Sequence, residues 1–476
     1  MIELPTNFPL RFTQSSGSYK ELNSPNDQNL LSRIQYATKQ DIEFLLAKLP
    51  TAQSKIESIP GFVRSQILKK AASLILDKQE FFSKLIATEG GKPLKDARIE
   101  VERAVHTLNL CAEEALRIGG EVLPMERNRF GLNHFSYTQH EPIGPVLAIS
   151  AFNHPLNLIS HQVGCALASG NIIALKPAPS TPLTAYYFED ALKEAGLPED
   201  ILFIVQAEIP EIEQLISSSH IAYVTFIGSA KVGWNLQKII APGTRLNLEH
   251  GGIAPAIVRA DAVLETASAA LVKGSFYHAG QVCISTQRIF VQKSIYSKFK
   301  DLFIKKTKQL KTGDATSEST DVGPLIRVDE VRRIQAWIEE ALNSGATLLC
   351  GNEKLADGQY LTPTVLENVP HSAKLMCEEA FGPVVCIESY EDEDSLIDYL
   401  NESKYSFEAC LFTQEINSSL HFAKKIKTMT MVINDHNAYR VDWMPFAGYR
   451  QSGLGMGGVK YMINEMVQLK QVIIKL

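Results

Sequence analysis

The chain has 476 residues, of which 45% are hydrophobic and 21% are charged, and its formal net charge is −6. A chain of this length is expected to form more than one hydrophobic core, because single cores stop growing near ~250–300 residues. The lysines and arginines are dispersed along the chain. This argues against nucleic-acid binding, which needs a basic stripe.

No apolar run approaches the ~20 residues of a membrane helix, and residues 1–5 lack the charged and apolar regions of a secretory signal. The seven cysteines are scattered without a C-x-x-C pair, a usage typical of reduced intracellular proteins. The eleven histidines show no metal-ligand spacing. We therefore expect a cytoplasmic protein with no membrane partner and no metal site.

Residues 1–60 are polar and contain one predicted helix, which begins at Lys39. An amphipathic helix is predicted over 61–77, because apolar residues recur there at the helical period. Gly90 and the three residues after it break the following helix, and another helix is predicted to begin near Leu94.

Two segments are predicted to lie outside the main cores. Residues 125–141 start with a polar run and then alternate in character, which indicates an exposed ribbon. The last ten residues, 467–476, are apolar and β-prone, and a free terminal strand of this kind invites pairing. Its partner is either an internal sheet, with this strand at the edge, or another subunit.

Residues 143–250 alternate between short β-type runs and helical stretches, which predicts a parallel sheet covered on both faces. The predicted strands cover 146–149, 172–175, 202–205 and 223–227, and the predicted helices cover 157–168, 183–195, 210–217 and 230–240. The G-x-G-x-x-G fingerprint is absent. Gly228 and Ser229 follow a strand and open a helix, and N–H groups at such a helix start face an anion. The alternative is a simple tight turn.

A second βα set follows from Pro255 to about Phe446, with strands near 257–258, 289–291, 385–389, 410–412 and 430–433 and a helix over 294–309. We therefore predict two α/β domains, with the reacting groups near their junction, where ligand sites are common.

Cys283 is the candidate nucleophile. It follows Gly280 by three residues inside an apolar and aromatic run, and a thiol reacts as its thiolate when a field or a neighbouring base removes its proton. A helix-favouring stretch around Cys283 is expected to offer N–H groups. The alternative is a buried structural thiol, which we expect for the other six cysteines.

Glu249 and Asn153 complete a set of reacting groups. Glu249 ends an extended run before two glycines, where partial desolvation is expected to raise its pKa to a value useful for a base. The alternative is an ion pair with a nearby Lys or Arg. Asn153 is a candidate amide donor to an oxyanion, or else the cap of a helix that begins after Pro155. Nucleophile, base and donor together indicate acyl-level chemistry on a carbonyl.

These motifs, in this order, resemble the aldehyde dehydrogenase superfamily from about Arg64 to Leu476. The resemblance implies a two-domain α/β fold with three parts. A Rossmann-like cofactor domain takes 1–124 and 142–250, an α/β catalytic domain takes 251–448, and a small β oligomerisation extension takes 125–141 and 449–476. In the family the extension joins subunits, so we expect a homodimer or homotetramer.

The resemblance also implies the reaction. The Cys283 thiolate adds to an aldehyde, and Asn153 and the Cys283 N–H hold the oxyanion. Hydride passes to NAD or NADP, and water activated by Glu249 hydrolyses the thioester to a carboxylate. The chain departs from the family at Phe152 and His154, which stand for Trp and Phe, and at His250, which stands for Leu.

Cofactor-binding residues carried over from the resemblance are Lys176, Gly228, Ser229, Gly233, Glu379 and Phe381. Members that prefer NAD often have Glu three residues after the lysine, where this chain has Pro179. A Glu there would bind the 2′-hydroxyl and repel a 2′-phosphate. Both NAD and NADP therefore remain open, with NAD slightly favoured.

The substrate is predicted to be a small polar or anionic aldehyde. Residues 434–443, which include Arg440, are unusually polar, and the resemblance places Arg103 and His161 near the substrate tunnel. Relatives that handle phosphate often have Arg where this chain has Val282, which counts against a phosphorylated substrate. The alternative is that Arg440 simply pairs with Asp442 on the surface.

Two other functions remain as alternatives. A CoA-acylating aldehyde dehydrogenase transfers the acyl group to CoA instead of water, and such members often lack the carboxylate base. A non-catalytic binding protein with this fold would have lost the nucleophile, the base or the donor. The presence of Glu249, Cys283 and Asn153 argues against both alternatives.

Overall fold

The computed structural model describes residues 3–13, 15, 17–355 and 359–476. The helices of this part of the chain are α1 Lys39–Glu57, α2 Gly61–Asp77, α3 Gln79–Gly90, α4 Leu94–Glu114, α5 Pro155–Ser169, α6 Leu183–Ala195, α7 Ile209–Ile216, α8 Ala230–Leu236, α9 Leu264–Phe276, α10 Tyr296–Thr307, α11 Val328–Asn343, α12 Lys374–Cys377, α13 Glu393–Asn401, α14 Ile416–Lys425 and α15 Val459–Glu465.

The strands are β1 Asn7–Phe8, β2 Tyr19–Asn23, β3 Leu30–Gln35, β4 Val122–Leu123, β5 His134–Pro142, β6 Val146–Ile149, β7 Ile173–Lys176, β8 Leu202–Ile204, β9 Tyr223–Ile227, β10 Arg245–Glu249, β11 Pro255–Val258, β12 Arg288–Gln292, β13 Thr347–Cys350, β14 Lys354–Leu355, β15 Tyr360–Leu361, β16 Thr364–Glu367, β17 Val384–Tyr390, β18 Tyr405–Ser406, β19 Glu408–Phe412, β20 Thr430–Ile433, β21 Tyr449–Arg450, β22 Gly453–Leu454 and β23 Val467–Lys475.

The first large sheet has six strands in the order β22-β10-β9-β6-β7-β8, and all neighbours are parallel except β22 with β10. Every residue of β6, β8 and β9 is buried, as expected for parallel strands that are covered on both faces. The strand–helix alternation predicted for 143–250 is confirmed, although α8 ends at Leu236 rather than at 240.

The second large sheet has seven strands in the order β13-β16-β17-β12-β11-β19-β20. Only β13 is antiparallel to its neighbour, and it lies at one edge. A separate apolar core surrounds this sheet, with fully buried residues such as Ile257, Ile289 and Leu411. The prediction of two α/β cores is therefore confirmed.

A third, small sheet has the order β23-β5-β4. β23 pairs with β5 along its whole length, from Val467 opposite Pro142 to Lys475 opposite His134. The predicted terminal strand is thus confirmed, and its partner within the chain is the predicted ribbon. The rest of the C-terminal segment lies elsewhere, because β22 joins the first large sheet and α15 packs against α4 and α5.

Candidate active site

A cavity of about 610 Å³ lies at the junction of the two large sheets. It is bordered by the end of β10, the turn after β9, the turn before α5 and the segment after α9. All three candidate reacting groups, Asn153, Glu249 and Cys283, border it. The tertiary structure therefore brings together side chains that lie up to 130 positions apart, since 283 − 153 = 130.

Cys283 lies in a turn, and the helix expected around it is wrong. Helix α9 ends at Phe276, and His278, Ala279 and Gly280 then follow with φ of 47°, 55° and 69°. A Cβ on Gly280 would overlap the carbonyl oxygen of Gly382, so this position requires glycine. A left-handed run cannot continue an α-helix of L-residues, and it turns the chain so that Cys283 faces the cavity.

The Cys283 thiol donates to Glu249 across an Sγ–Oε1 distance of 3.6 Å. Burial raises the pKa of Cys283, and the negative charge of Glu249 raises it further, whereas Arg440 opposes the rise. The free site therefore holds a thiol with an adjacent carboxylate that is able to accept its proton. This is the geometry of a nucleophile with its base.

Glu249 is the last residue of β10, and its carbonyl oxygen accepts a hydrogen bond from the Gly228 N–H at 3.0 Å. Burial raises the pKa of its carboxyl group, while the positive charge of Arg440 and the hydrogen bond from Cys283 lower it. Among the described residues no Lys or Arg lies within 4.0 Å of its oxygens, so the ion-pair alternative is not observed. A base with a raised pKa works closer to neutral pH.

Asn153 does not cap the helix that follows it. The capping position of α5 belongs to His154, which makes no side-chain capping bond, and the Asn153 amide donates instead to the Gln281 carbonyl at 2.9 Å. A carboxamide has two N–H groups, so the second remains for a ligand. The Cys283 backbone N–H donates to no acceptor among the described residues, which makes it a second donor beside the thiol.

Four of the six predicted cofactor residues border the cavity, namely Gly228, Ser229, Glu379 and Phe381. Glu379 packs directly against the backbone of Gly251, where any Cβ would overlap its carboxylate. Burial raises the pKa of Glu379 to about 8, and its Oε1 has no hydrogen-bond partner within the described chain. An unpartnered carboxylate beside a glycine fits the hydroxyls of a ribose, which donate hydrogen bonds.

Lys176 and Gly233 do not border this cavity. Lys176 ends β7, and burial lowers the pKa of its ammonium group to about 8. Gly233 lies in α8 under the imidazole of His250, which a Cβ at Gly233 would overlap. His250, the polar neighbour of the base, therefore requires glycine at position 233.

Arg440 lies half-buried in the cavity wall and has no ionic partner among the described residues. Its Cζ lies 3.5 Å from the ring centroid of Phe446, and its Nε makes no hydrogen bond within the described chain. No carboxylate oxygen of the described residues lies within 4.0 Å of its guanidinium. A buried cation without a counter-ion is costly, so this arrangement indicates a site for an anion.

Asp442 pairs with Arg103 and not with Arg440, and the proposed surface pair of Arg440 with Asp442 is wrong. Its Oδ1 lies 2.8 Å from Arg103 Nη2, 2.9 Å from His161 Nε2 and 3.0 Å from Asn157 Nδ2. Burial alone would raise the pKa of Asp442, but the hydrogen bonds and charges of His161 and Arg103 lower it below its usual range.

His161 and Arg103 differ in their access to the cavity. His161 is buried behind Asp442 and does not border the cavity, whereas Arg103 does. Burial lowers the pKa of His161. His161 therefore holds Asp442 in place instead of facing a ligand.

Sequence reasoning missed two polar residues of the cavity wall, Tyr277 and Asn157, and treated His154 only as an altered wall. The Tyr277 hydroxyl lies 3.4 Å from His154 Nε2, and both residues border the cavity with Asn157. The sequence feature that could have identified them is a polar side chain within an otherwise apolar and aromatic motif. These groups add hydrogen-bonding capacity next to Arg440 and Arg103.

Within the described residues, no group of three or more His, Cys, Asp or Glu side chains is arranged to hold a metal ion. None of the helices in that part of the chain is long and apolar enough to span a membrane.

Comparisons with known proteins point to one family. The sequence model described as "Aldehyde dehydrogenase family" matches residues 12–472. The 3-sulfolactaldehyde dehydrogenase of Priestia megaterium is 39% identical over 450 residues, which cover 94% of this chain and 93% of that protein.

Two solved structures have the same fold over nearly the whole chain. Aldehyde dehydrogenase 21 of Physcomitrella patens, in complex with the reaction product succinate, has a TM-score of 0.95 and 30% identity, covering 99% of both chains. The glyceraldehyde-3-phosphate dehydrogenase of Methanocaldococcus jannaschii, complexed with NADP, has a TM-score of 0.91 and 35% identity, covering 96% of this chain and 99% of that one.

Proposed function

Because the chain belongs to the aldehyde dehydrogenase family, we propose that it oxidises short aldehydes that carry a sulfonate or carboxylate group to the corresponding acids with NAD or NADP. The observation that carries this proposal is the guanidinium of Arg440, which lines the same cavity as Cys283 and whose buried Nε has no partner within the described chain. A sulfonate or carboxylate would supply the missing counter-charge and accept bonds from the planar guanidinium.

The relatives support an anionic substrate. The name of the Priestia megaterium protein refers to sulfolactaldehyde, which carries a sulfonate. The Physcomitrella patens structure contains succinate, a dicarboxylate. Both molecules are short and have an anionic group at the end away from the oxidised carbon, as the proposed site requires.

The reacting groups would act in a fixed order. Glu249 takes the proton of the Cys283 thiol, and the thiolate attacks the aldehyde carbon. The oxyanion receives hydrogen bonds from the second N–H of Asn153 and from the Cys283 backbone N–H. Glu249 loses this first proton to solvent and then takes a proton from the water that attacks the thioester; return of that proton to the departing sulfur releases the acid and restores the thiol.

The nicotinamide cofactor would supply the hydride acceptor when bound. The cavity residues fit it, because Glu379 has one carboxylate oxygen, Oε1, without a partner in the described chain, and Gly251 leaves room beside it. Gly228 and Ser229 border the same part of the cavity. Pro179 places no carboxylate against a 2′-phosphate, so we propose that the enzyme accepts either NAD or NADP; turnover with each cofactor tests this.

Hydrolysis of the thioester is proposed over transfer to CoA. The contact between Cys283 Sγ and Glu249 Oε1 supports this, because a base at Glu249 would lie beside a thioester on Cys283. Acid formation without CoA is the expected result. Turnover that requires CoA would contradict the proposal.

The decisive test compares sulfoacetaldehyde with propanal, an uncharged aldehyde, in the wild type and in Arg440→Gln. The substitution should lower kcat/KM for sulfoacetaldehyde by about 10- to 100-fold, the cost of losing a hydrogen bond to a charged group, and should change propanal oxidation little. Arg327→Gln is the matched control, because Arg327 borders the cavity but pairs with Glu330. Equal loss for both aldehydes in Arg440→Gln would contradict the proposal.

The third sheet is the proposed subunit interface. Its strand β23 forms a free edge with exposed apolar side chains, and Leu469, Ile473 and Leu476 are 60%, 58% and 80% exposed. Such an edge favours pairing with a second chain. Light scattering should give a dimer or tetramer, and deletion of residues 467–476 should give a smaller species.

A cytoplasmic location is also proposed, since all seven cysteines are free thiols.

A further inference from the structure

Glu408 is a buried carboxylate outside the set of reacting groups. It begins β19, where it lies opposite Thr430 of β20, and its residue is 2% exposed. Both of its carboxylate oxygens are buried and make no hydrogen bond within the described chain. A buried carboxylate in this condition needs either a proton or a cation.

The positive charge that acts on the pKa of Glu408 is that of Arg440. Phe407, the residue before Glu408, packs its ring 4.8 Å from that of Phe446, and the Arg440 guanidinium lies on the same Phe446 ring. Among the charged groups of the described chain, Arg440 is the one that lowers the pKa of Glu408. No Glu408 oxygen lies within 4.0 Å of the guanidinium, so the two groups interact through space without forming an ion pair.

The other groups around Glu408 either have partners of their own or form no contact with its carboxylate. On its own strand the neighbouring thiol is Cys410, which donates to Asn437. Towards the cavity, the negative charge of Glu408 raises the pKa of the Cys283 thiol. On its other side, Arg288, Tyr405 and Lys427 line with it a cleft of about 30 Å³, but none of them forms an ion pair or hydrogen bond with its carboxylate within the described chain.

We propose that Glu408 is a specificity-determining residue that competes electrostatically with the substrate anion for Arg440 and takes up a proton when that anion binds. The proposal rests on the proposed function, because it requires Arg440 to bind the anionic group. Proton uptake would make the enzyme prefer anionic aldehydes most strongly at low pH.

The direction in which affinity depends on pH follows from the charges. Burial raises the pKa of Glu408, and the positive charge of Arg440 partly opposes this rise. An anion on Arg440 cancels that opposition, so the pKa of Glu408 is higher in the complex than in the free enzyme. Between these two values, binding takes up a proton from solvent onto the carboxylate, and affinity falls as pH rises. Below both values the carboxyl group is already neutral and affinity is independent of pH.

Calorimetric titration with ethanesulfonate tests this without any turnover. Ethanesulfonate is charged throughout the accessible pH range and has no aldehyde group. Titrations in two cationic buffers with different ionisation enthalpies give the number of protons taken up, and cationic buffers leave the anion site to the probe. As pH is raised, the proton uptake by Glu408 in the wild type should pass through a maximum of about half a proton per site, the value that a tenfold coupling gives.

The variants separate Glu408 from the other carboxylates. In Glu408→Gln the proton uptake should fall to the part contributed by Glu249, whose pKa Arg440 also lowers, and ethanesulfonate should bind about tenfold more tightly than to the wild type at high pH, within the range usual for coupled sites. Glu249→Gln should retain the part of the uptake that is due to Glu408, and the double variant Glu249→Gln/Glu408→Gln should take up no proton. Glu388→Gln is the matched surface control on β17, where Glu388 pairs with His371.

The outcomes are distinct. Ethanesulfonate binding that Arg440→Gln abolishes, with the same pH dependence in wild type and Glu408→Gln, would overturn the role of Glu408 and leave the proposed function intact. Binding that does not depend on Arg440 would overturn both. Thermal unfolding monitors folding of the variants, and Glu408→Ala is a second neutral variant that should reproduce the loss of proton uptake.

Discussion

The two ends of the cavity are held by different kinds of structure. At the reaction end, Asn153, Glu249 and Cys283 are placed by the backbone, at a turn before α5, at the end of β10 and in the left-handed turn after α9. At the anion end, Arg103 is held by the distant Asp442, and Arg440 lies on the ring of Phe446 in its own loop. The backbone thus positions the reacting groups, whereas the residues that we propose to select the aldehyde are positioned by side-chain contacts.

The two arginines of the anion end also differ from each other. Arg103 forms two hydrogen bonds with Asp442, whereas Arg440 lies on an aromatic ring and has no acceptor among the residues that the structure describes. A compensated buried cation supports the fold, and an uncompensated one is available to a ligand. Substitutions at the reaction end should therefore affect all aldehydes alike, and those at the anion end should affect either stability or selectivity.

The largest effect on rate is expected for Glu249→Gln. Loss of the base should lower steady-state turnover by about 10²- to 10⁴-fold, equally for sulfoacetaldehyde and propanal, because hydrolysis of the thioester does not involve the anion end. Rapid mixing should still show a burst of reduced cofactor. Glu330→Gln, at another carboxylate of the cavity wall, is the control, and a loss confined to the anionic aldehyde would contradict the comparison.

Asp442→Asn should chiefly affect stability. It leaves Arg103 without its counter-ion in a site where the Asp442 side chain is 3% exposed, and breaking a buried pair typically costs about 3–5 kcal/mol. Denaturant unfolding measures this loss. Asp329→Asn removes an exposed pair with Arg332 and should leave stability unchanged.

The same carboxylate makes a prediction about pH. The pKa of Asp442 is lower in the folded than in the unfolded protein, so its contribution to stability is present above the unfolded value and is lost as pH falls towards the folded value. The difference in unfolding free energy between wild type and Asp442→Asn should therefore shrink below about pH 4. A difference that is constant with pH would show that Asp442 does not act through its charge.

Asn153→Ala should slow formation of reduced cofactor by about 10²- to 10³-fold, the usual loss for one oxyanion donor. Both aldehydes should be affected equally, since the amide acts on the carbonyl oxygen that they share. Single-turnover absorbance measurements report this step directly. A loss for sulfoacetaldehyde alone would place Asn153 at the anion end instead.

The smallest effect is expected for thiol reactivity in Arg440→Gln. Burial and Glu249 raise the pKa of Cys283 while Arg440 opposes the rise, so removing Arg440 should raise it further. Alkylation of Cys283 by iodoacetamide should increase with pH in both proteins and be slower in the variant, because less of the thiol is ionised at a given pH. Cys283→Ala identifies the labelled site. An equal rate in both proteins would show that the two ends are electrostatically independent.

The elements of the fold were predictable wherever the sequence pattern is local. The helix over 61–77 and the strands at 146–149, 223–227 and 430–433 agree with the structure, because period and apolar content act within one element. The failure lies at Cys283, where a helix was expected. His278 and Ala279 adopt left-handed conformations that intrinsic preferences disfavour, so tertiary contacts must impose them.

By itself, the sequence determined the two α/β cores and the three reacting groups, since each of these groups stands in a recognisable local segment next to a strand end or a glycine turn. Only the tertiary structure decided the charge balance of the cavity. Asp442 forms its ion pair with Arg103, which lies 339 positions away in the sequence. Arg440 has no such partner among the described residues. The sequence around a charged residue does not show which residue it pairs with, because pairing depends on which side chains the packed elements bring within a few ångströms.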